Sequence, residues 1–349
     1  MREVYILFKK TSLSLLVFSV MVLSIMTIVF NGCSPTQQVT QQVVITYSSI
    51  HVPEEGGVNF EKITDETADK PLKPKIGRYE TTGRLYWWVN PYFDISKGGD
   101  RLAYLSMRNN NTANIYVKSL TDRSGAQQRT FSSSDVESVT FSQNGEQLCF
   151  TRKNNTQHQI YVTSSTQGTI VQQISGSGVS DYAPRYLGND VIFFSRSEGN
   201  SYSIWSYNMN KGSLMYYSTG MTPYPINDEE YLCSRTNSTN NIEIWKVNFV
   251  KGTESIILSL DNRSCTTASL SPDGKWIVFV ANTPTSGTVK ENLDVYVIRA
   301  DGTQLTQLTY HQGHDLSPVW SPDGKYIYFL SQRGTETGDY NIWKMNFNL

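Results

Sequence analysis

The sequence predicts an all-β fold, a six-bladed β-propeller of four-stranded antiparallel blades. Three observations carry this reading. The phrase Ser271-Pro272-Asp273-Gly274-Lys275-Trp276-Ile277-Val278-Phe279 returns as Ser321-Pro322-Asp323-Gly324-Lys325-Tyr326-Ile327-Tyr328-Phe329. Fainter copies recur at a period of about 40–50 residues, the spacing of propeller blades. An aromatic residue recurs on the third strand of each repeat, at Tyr116, Tyr161, Trp205, Trp245, Tyr296 and Trp343, and six aromatics imply six blades. Glycines of the next turn keep step as Gly125, Gly168, Gly212, Gly252 and Gly302.

Within a repeat, the first strand ends in Ser-Pro-Asp-Gly or its relic. Ser suits position i of a type I turn, Pro presets φ at i+1, Asp tolerates i+2 and Gly suits i+3. Asn144-Gly145 repeats the turn, whereas Asn227-Asp228-Glu229 has lost it. The second strands, such as Val191-Ile192-Phe193-Phe194 and Ile277-Val278-Phe279-Val280, are unbroken apolar runs, as expected of strands covered on both faces. The third-strand aromatics are expected in the core between blades. Only Lys344 to Leu349 follow Trp343, too few residues for another strand. Gly57-Val58-Asn59-Phe60-Glu61-Lys62-Ile63-Thr64 aligns without a gap on Gly302-Thr303-Gln304-Leu305-Thr306-Gln307-Leu308-Thr309. An N-terminal strand is therefore expected to complete the last blade, closing the ring and covering its edge. The longer connection from Asp65 to Asn90, with Tyr86-Trp87-Trp88, reads as an insertion lying across one face.

The chain divides into a leader (1–32), a tether (33–55) and the propeller (56–349). Arg2, Lys9 and Lys10 precede an apolar run from Leu13 to Phe30, which stops at Asn31-Gly32-Cys33. This resembles a bacterial lipoprotein signal peptide, a likeness that implies lipidation at Cys33. An uncleaved anchor is the alternative, because about 18 apolar residues nearly span a bilayer. Both place the body outside the cytoplasm on a membrane. Loss of the leader changes the formal charge from −1 to −3, and no long basic run remains, so nucleic acid is not an expected partner. Cys149 and Cys233 lie in apolar strand runs and read as buried small hydrophobes, while Cys265 reads as a loop residue and candidate free thiol.

Pro318-Val319-Trp320-Ser321-Pro322-Asp323-Gly324-Lys325, followed by Phe329-Leu330-Ser331-Gln332-Arg333 and Asn341-Ile342-Trp343, resembles the TolB-type propeller repeat. The same repeat occurs in the propellers of prolyl oligopeptidase-like enzymes. The resemblance implies an envelope setting; TolB itself carries an α/β domain before its propeller and works with a peptidoglycan-associated lipoprotein. With 23 residues from Cys33 up to Gly56 (33–55), the expectation here is a propeller without that domain. Peptidase chemistry is not implied, since the sequence has neither a Gly-x-Ser-x-Gly elbow nor an α/β-hydrolase segment after the propeller.

Candidate site residues gather on the face of the fourth-to-first and second-to-third strand loops: Trp87, Trp88, Asp181, Tyr182, Arg263, His311, His314 and Asp315. Arg108, Arg152, Arg196, Arg235 and Arg333 recur at the ends of second strands, and a residue that recurs with the repeat is expected to serve the repeat. His311-Gln312-Gly313-His314-Asp315 lacks partners for an identifiable metal pattern, and no glycine-rich phosphate loop precedes a helix, so no cofactor is expected. The expected function is a non-enzymatic lipoprotein scaffold binding an envelope protein or peptide, with a monomeric propeller, lipid-anchored in the outer membrane and facing the periplasm. The alternative is a saccharide- or peptidoglycan-binding module, a lyase or hydrolase included, suggested by Trp87, Trp88, Tyr182 and the His311/His314 loop.

Overall fold

A computed structural model describes residues 44–45 and 58–349, apart from 75, 79–84, 88–89, 110–111, 123, 169, 177, 200, 284–290 and 336–337. It shows the six blades, each an antiparallel sheet. Blade 1 comprises Phe93–Ile95, Arg101–Ser106, Asn114–Ser119 and Gln127–Gln128. Blade 2 comprises Thr140–Phe141, Gln147–Asn154, Gln157–Ser164 and Ile170–Gln173. Blade 3 comprises Ser180–Leu187, Val191–Glu198, Ser201–Asn208 and Ser213–Thr219. Blade 4 is built from Met221–Pro225, Glu230–Thr236, Ile242–Asn248 and Thr253–Leu260. Blade 5 is built from Cys265–Leu270, Trp276–Thr283, Asn292–Arg299 and Thr306–Gln307. Blade 6 takes Asp315–Trp320, Tyr326–Ser331 and Asn341–Asn346 from the C-terminal end and Phe60–Lys62 from the N-terminal end. The first strands of successive blades contact one another round the ring, that of blade 6 meeting that of blade 1.

The closure expected from the gapless repeat is thus present. Phe60, Glu61 and Lys62 pair antiparallel with Met345, Lys344 and Trp343. Beyond the strand, Ile63 N donates to Ile342 O at 2.9 Å, and Ile342 N donates to Thr64 Oγ1 at 2.8 Å. One pairing was not anticipated: Val44–Ile45 runs parallel to Ser259 and Leu260, a fifth strand on the outer edge of blade 4.

The turn phrase works through its side chains. Ser321 Oγ donates to Asp323 Oδ1 at 2.6 Å and accepts from Tyr326 N at 2.9 Å, while Asp323 Oδ1 also accepts from Lys325 N at 3.1 Å. Ser271 and Asp273 repeat these bonds at the same lengths. The glycines closing this turn in blades 1, 2, 5 and 6 have φ of 71–74°, where a Cβ is disfavoured. In blade 4, where the phrase is lost, Asn227 Oδ1 accepts from Glu229 N and Glu230 N, both at 2.9 Å, and supports a turn closed by the bond from Ile226 N to Glu230 O at 2.8 Å.

The second strands are buried almost throughout, and Tyr116, Tyr161 and Tyr296 are buried between the sheets as expected. Trp205, Trp245 and Trp343 are half-buried. Large rings filling the wedge between twisted sheets bury about 150–250 Å² each, which is why the third strand is aromatic in every blade. Cys149, Cys233 and Cys265 are free thiols and all are buried. Cys265 opens the first strand of blade 5 instead of lying in a loop. Of the insertion, residues 65–74 run along blade 1: Leu72 N bonds to Leu105 O, and Asp69 accepts from Tyr104 Oη and Lys118 Nζ, both at 2.8 Å. Ile76–Arg78 and Leu85–Trp87 form a hairpin.

Candidate binding funnel

One position of the first strand opens onto the ring's centre in every blade. It is occupied by Asp94, Thr140, Arg185, Tyr224, Ser269 and Val319, and all six line a single cavity of about 460 Å³. The cavity is rimmed by the first-to-second strand turns, among them Lys97, Gln143, Gly188, Ile226, Pro272 and Pro322. Its wall adds the rings of Phe141, Tyr186 and Trp320.

A shared backbone irregularity positions four of these six residues. In blades 3 to 6 the pairing of first and second strands shifts register between Tyr182 and Arg185, Met221 and Tyr224, Thr266 and Ser269, and Leu316 and Val319. In each bulge the residue two before the cavity position is left-handed: Ala183 (φ 49°), Thr222 (51°), Thr267 (56°) and Ser317 (51°). Such a conformation costs about 1–2 kcal/mol for a residue with a Cβ, and a bulge characteristically re-aims a neighbouring side chain. Hydrogen bonds offset the cost: Thr222 N donates to Ser195 Oγ of blade 3 at 2.8 Å, and within blade 4 Thr222 Oγ1 pairs with Ser234 Oγ at 2.8 Å.

Asp94 and Arg185 are the charged pair among the six. Asp94 Oδ2 accepts from Phe141 N at 2.8 Å, and its Oδ1 stands 4.0 Å from Arg185 Nη1. Burial pushes the Asp94 carboxyl above its ordinary range, opposed by the Arg185 charge and by backbone donors. Burial also raises the Tyr224 phenol, whose Oη donates to Leu270 O at 3.3 Å. Ser269, 5% exposed, has an Oγ with no hydrogen-bond partner among the described residues.

The residues singled out from sequence lie elsewhere, around the ends of the second strands. Asp181 is buried and takes a bidentate pair from Arg196, Nε to Oδ1 at 2.8 Å and Nη2 to Oδ2 at 2.9 Å. Tyr182 packs against His158, ring centres 4.6 Å apart, and against Tyr202. Arg263 is buried, with Nε donating to Asn282 O and its guanidinium 5.0 Å over Tyr296. His311 Nδ1 accepts from Gly313 N at 3.0 Å and so holds its own loop, while His314 Nδ1 accepts from Leu293 N at 3.2 Å and ties the loop to the third strand of blade 5. Asp315 binds Arg333 Nη2 at 2.9 Å. The Trp87 side chain, Trp88 and Cys33 lie outside the described residues. Among the described residues no group of three or more His, Cys, Asp or Glu side chains is placed to hold a metal ion.

The recurring arginines serve the repeat. Arg108, Arg152, Arg196 and Arg235 stack 4.2, 4.1, 4.8 and 4.7 Å over Tyr116, Tyr161, Trp205 and Trp245 of their own blades. Blade 5 receives its cation from Arg263 of the preceding loop, and in blade 6 Arg333 lies over Phe60.

No protein-family profile matches the chain. It is 35% identical over 66 residues, 19% of its length, to dipeptidyl-peptidase 5 of Porphyromonas gingivalis, of which it spans 10%. Among solved structures it is similar to a protein designated TolB from Agrobacterium tumefaciens, at 16% identity and a TM-score of 0.55, covering 76% of this chain and 95% of that one. TolB from Acinetobacter baumannii aligns at 16% identity and a TM-score of 0.57, over 72% of this chain and 64% of that one. An oligogalacturonate lyase from Vibrio parahaemolyticus aligns at 12% identity and a TM-score of 0.53, over 80% of this chain and 97% of that one. At these identities the likeness is one of architecture, and it agrees with the repeat: the chain has a TolB-type six-bladed β-propeller fold.

Proposed function

We propose that this protein is a non-enzymatic scaffold of the bacterial envelope that binds a protein or peptide in the central funnel, from a lipid anchor at Cys33 in the outer membrane facing the periplasm. The ring of six cavity residues carries the reading. Where the third strand keeps an aromatic in all six blades, this position holds an acid, a base, two hydroxyls, a phenol and an aliphatic side chain. Side chains that differ at equivalent places, four of them set on a repeated and costly bulge, belong to a recognition surface more than to a scaffold. The turn-rimmed mouth admits a chain end or a loop. The fold likeness to TolB supports an envelope setting, as does the charged leader that precedes Cys33.

Affinity capture from envelope extract tests it. A partner should be retained by the parent and lost by Ser269→Trp, which fills the cavity from one wall, with both proteins melting together. Retention by the filled variant would move the binding surface elsewhere. Incorporation of labelled fatty acid, abolished by Cys33→Ala, tests the anchor. The likeness to an oligogalacturonate lyase fold supports the second reading, a saccharide-directed module. A glycan array probed with the same protein separates the two: binding to acidic glycans with no captured protein would favour the second.

A further inference from the structure

Arg185 is equipped for a ligand that this chain does not itself supply. A guanidinium offers five donors, yet among the described residues none of them is hydrogen-bonded. The nearest anion, Asp94, stands 4.0 Å away, beyond hydrogen-bond range. The side chain is half-buried on the cavity wall, and the bulge at Ala183 presents it there. Arg196, one strand away, shows the contrast, since it spends its donors on Asp181. A second donor in the same cavity, Ser269 Oγ, is buried and has no partner among the described residues.

The surroundings narrow the ligand. The charged lining residues are Asp94, Lys97 and Arg185, a net charge of one positive, which a monoanion would neutralise and a phosphate dianion would overshoot. A planar carboxylate matches the fork of a guanidinium in a bidentate pair. Phe141, Tyr186, Tyr224 and Trp320 give the carboxylate's neighbours apolar walls. A volume of about 460 Å³ lies within the usual small-ligand range of ~300–1,000 Å³, room for a chain end but not for a folded surface.

We propose that Arg185 is a carboxylate receptor and that the funnel takes the C-terminal end of an extended peptide, whose terminal carboxylate replaces Asp94 as the nearest anion. This rests on the peptide-binding reading above and names the group recognised. Asp94 then acts as a competing anion that keeps the empty site from holding small anions tightly.

The test uses the purified full chain and two pools of N-terminally fluorescein-labelled hexapeptides of randomised sequence, one ending in a free carboxylate and one in a carboxamide, followed by anisotropy. The acid pool should bind at least about tenfold more tightly, the scale of a charge-assisted pair. Arg185→Gln should erase that preference. Asp94→Asn, which keeps an acceptor for Phe141 N, should strengthen acid binding and leave amide binding unchanged, an effect that mere damage to the fold would not produce. Equal binding of the two pools by the parent would overturn the inference while leaving peptide binding standing. A preference that survives Arg185→Gln would overturn Arg185 as the receptor. Binding of trigalacturonate with neither peptide pool bound would overturn the inference and the reading beneath it.

Discussion

The Arg333 guanidinium lies 3.9 Å over the ring of Phe60, so that a side chain of the last blade clamps the strand that closes the ring. The same guanidinium binds Asp315 on the first strand of that blade, tying the outermost strand to the innermost. Phe60→Ala should therefore cost about 2–3 kcal/mol, below the usual range for a fully buried Phe because this ring is half-buried. Deleting residues through Asp65 should unfold the ring cooperatively at a much lower denaturant midpoint, whereas deleting residues through Gln42 should cost little. Equal midpoints for the two truncations would refute the closure.

Breaking the buried pair between Asp181 and Arg196 should be among the most damaging single changes. Asp181→Ala removes the buried carboxylate that takes a bidentate pair from Arg196 while that guanidinium stacks on Trp205, at a cost of about 3–5 kcal/mol. Asp181→Ala combined with Arg196→Met should recover much of that loss. Urea titrations of the two single variants and the double variant give the coupling directly.

Asp294 sets a pH dependence of known sign. Burial first, and then the neighbouring Asp315 carboxylate, hold its native ionisation well above the ordinary carboxylate value. A carboxyl raised on folding keeps its proton longer in the native state than in the unfolded chain. Its contribution is complete below the unfolded value near ~3.9 and is lost as pH rises through the native value. Asp294→Asn should thus gain on the parent progressively as pH is raised from about 4 to 8, read as the difference in urea midpoints. A constant difference across that range would contradict the assignment.

The three body thiols should be silent in the native protein. Burial pushes Cys149, Cys233 and Cys265 each up to about 12, and none is exposed. Maleimide labelling at pH 8 should leave all three unmodified in buffer and modify all three in concentrated urea. Fast native labelling of Cys265 would contradict its place at the start of a buried strand.

The scaffold was legible in the sequence because each of its devices repeats. Ser321 and Ser271 make the same hydrogen bonds, the third-strand aromatics fill the same wedge, and the arginines stack on those aromatics. Even the closure could be read, since Phe60–Lys62 carries the pattern of a fourth strand. The funnel escaped for the opposite reason. Asp94, Arg185 and Tyr224 share a position but no chemistry, so a search for recurrence passes over them, and a search for clusters of catalytic residue types stops at His311 and His314. The signal lay in the exception: an arginine in Ala183-Pro184-Arg185-Tyr186, where the matching stretch of blade 6 reads Ser317-Pro318-Val319-Trp320. Val44–Ile45 gave no sign at all, since two residues of edge pairing leave no period to detect.

The closing strand also sets a timetable. Thr64 and Asn341, which meet beside it, are 277 residues apart in the chain. Joining ends so distant costs ~5 kcal/mol of loop entropy by length alone. During synthesis Phe60–Lys62 emerges early and has no partner until Asn341–Asn346 follows, so five blades can assemble while the sixth waits. A ribosome halted before codon 341 would leave an open arc with two bare sheet edges, the form of this chain most exposed to misassembly with its neighbours.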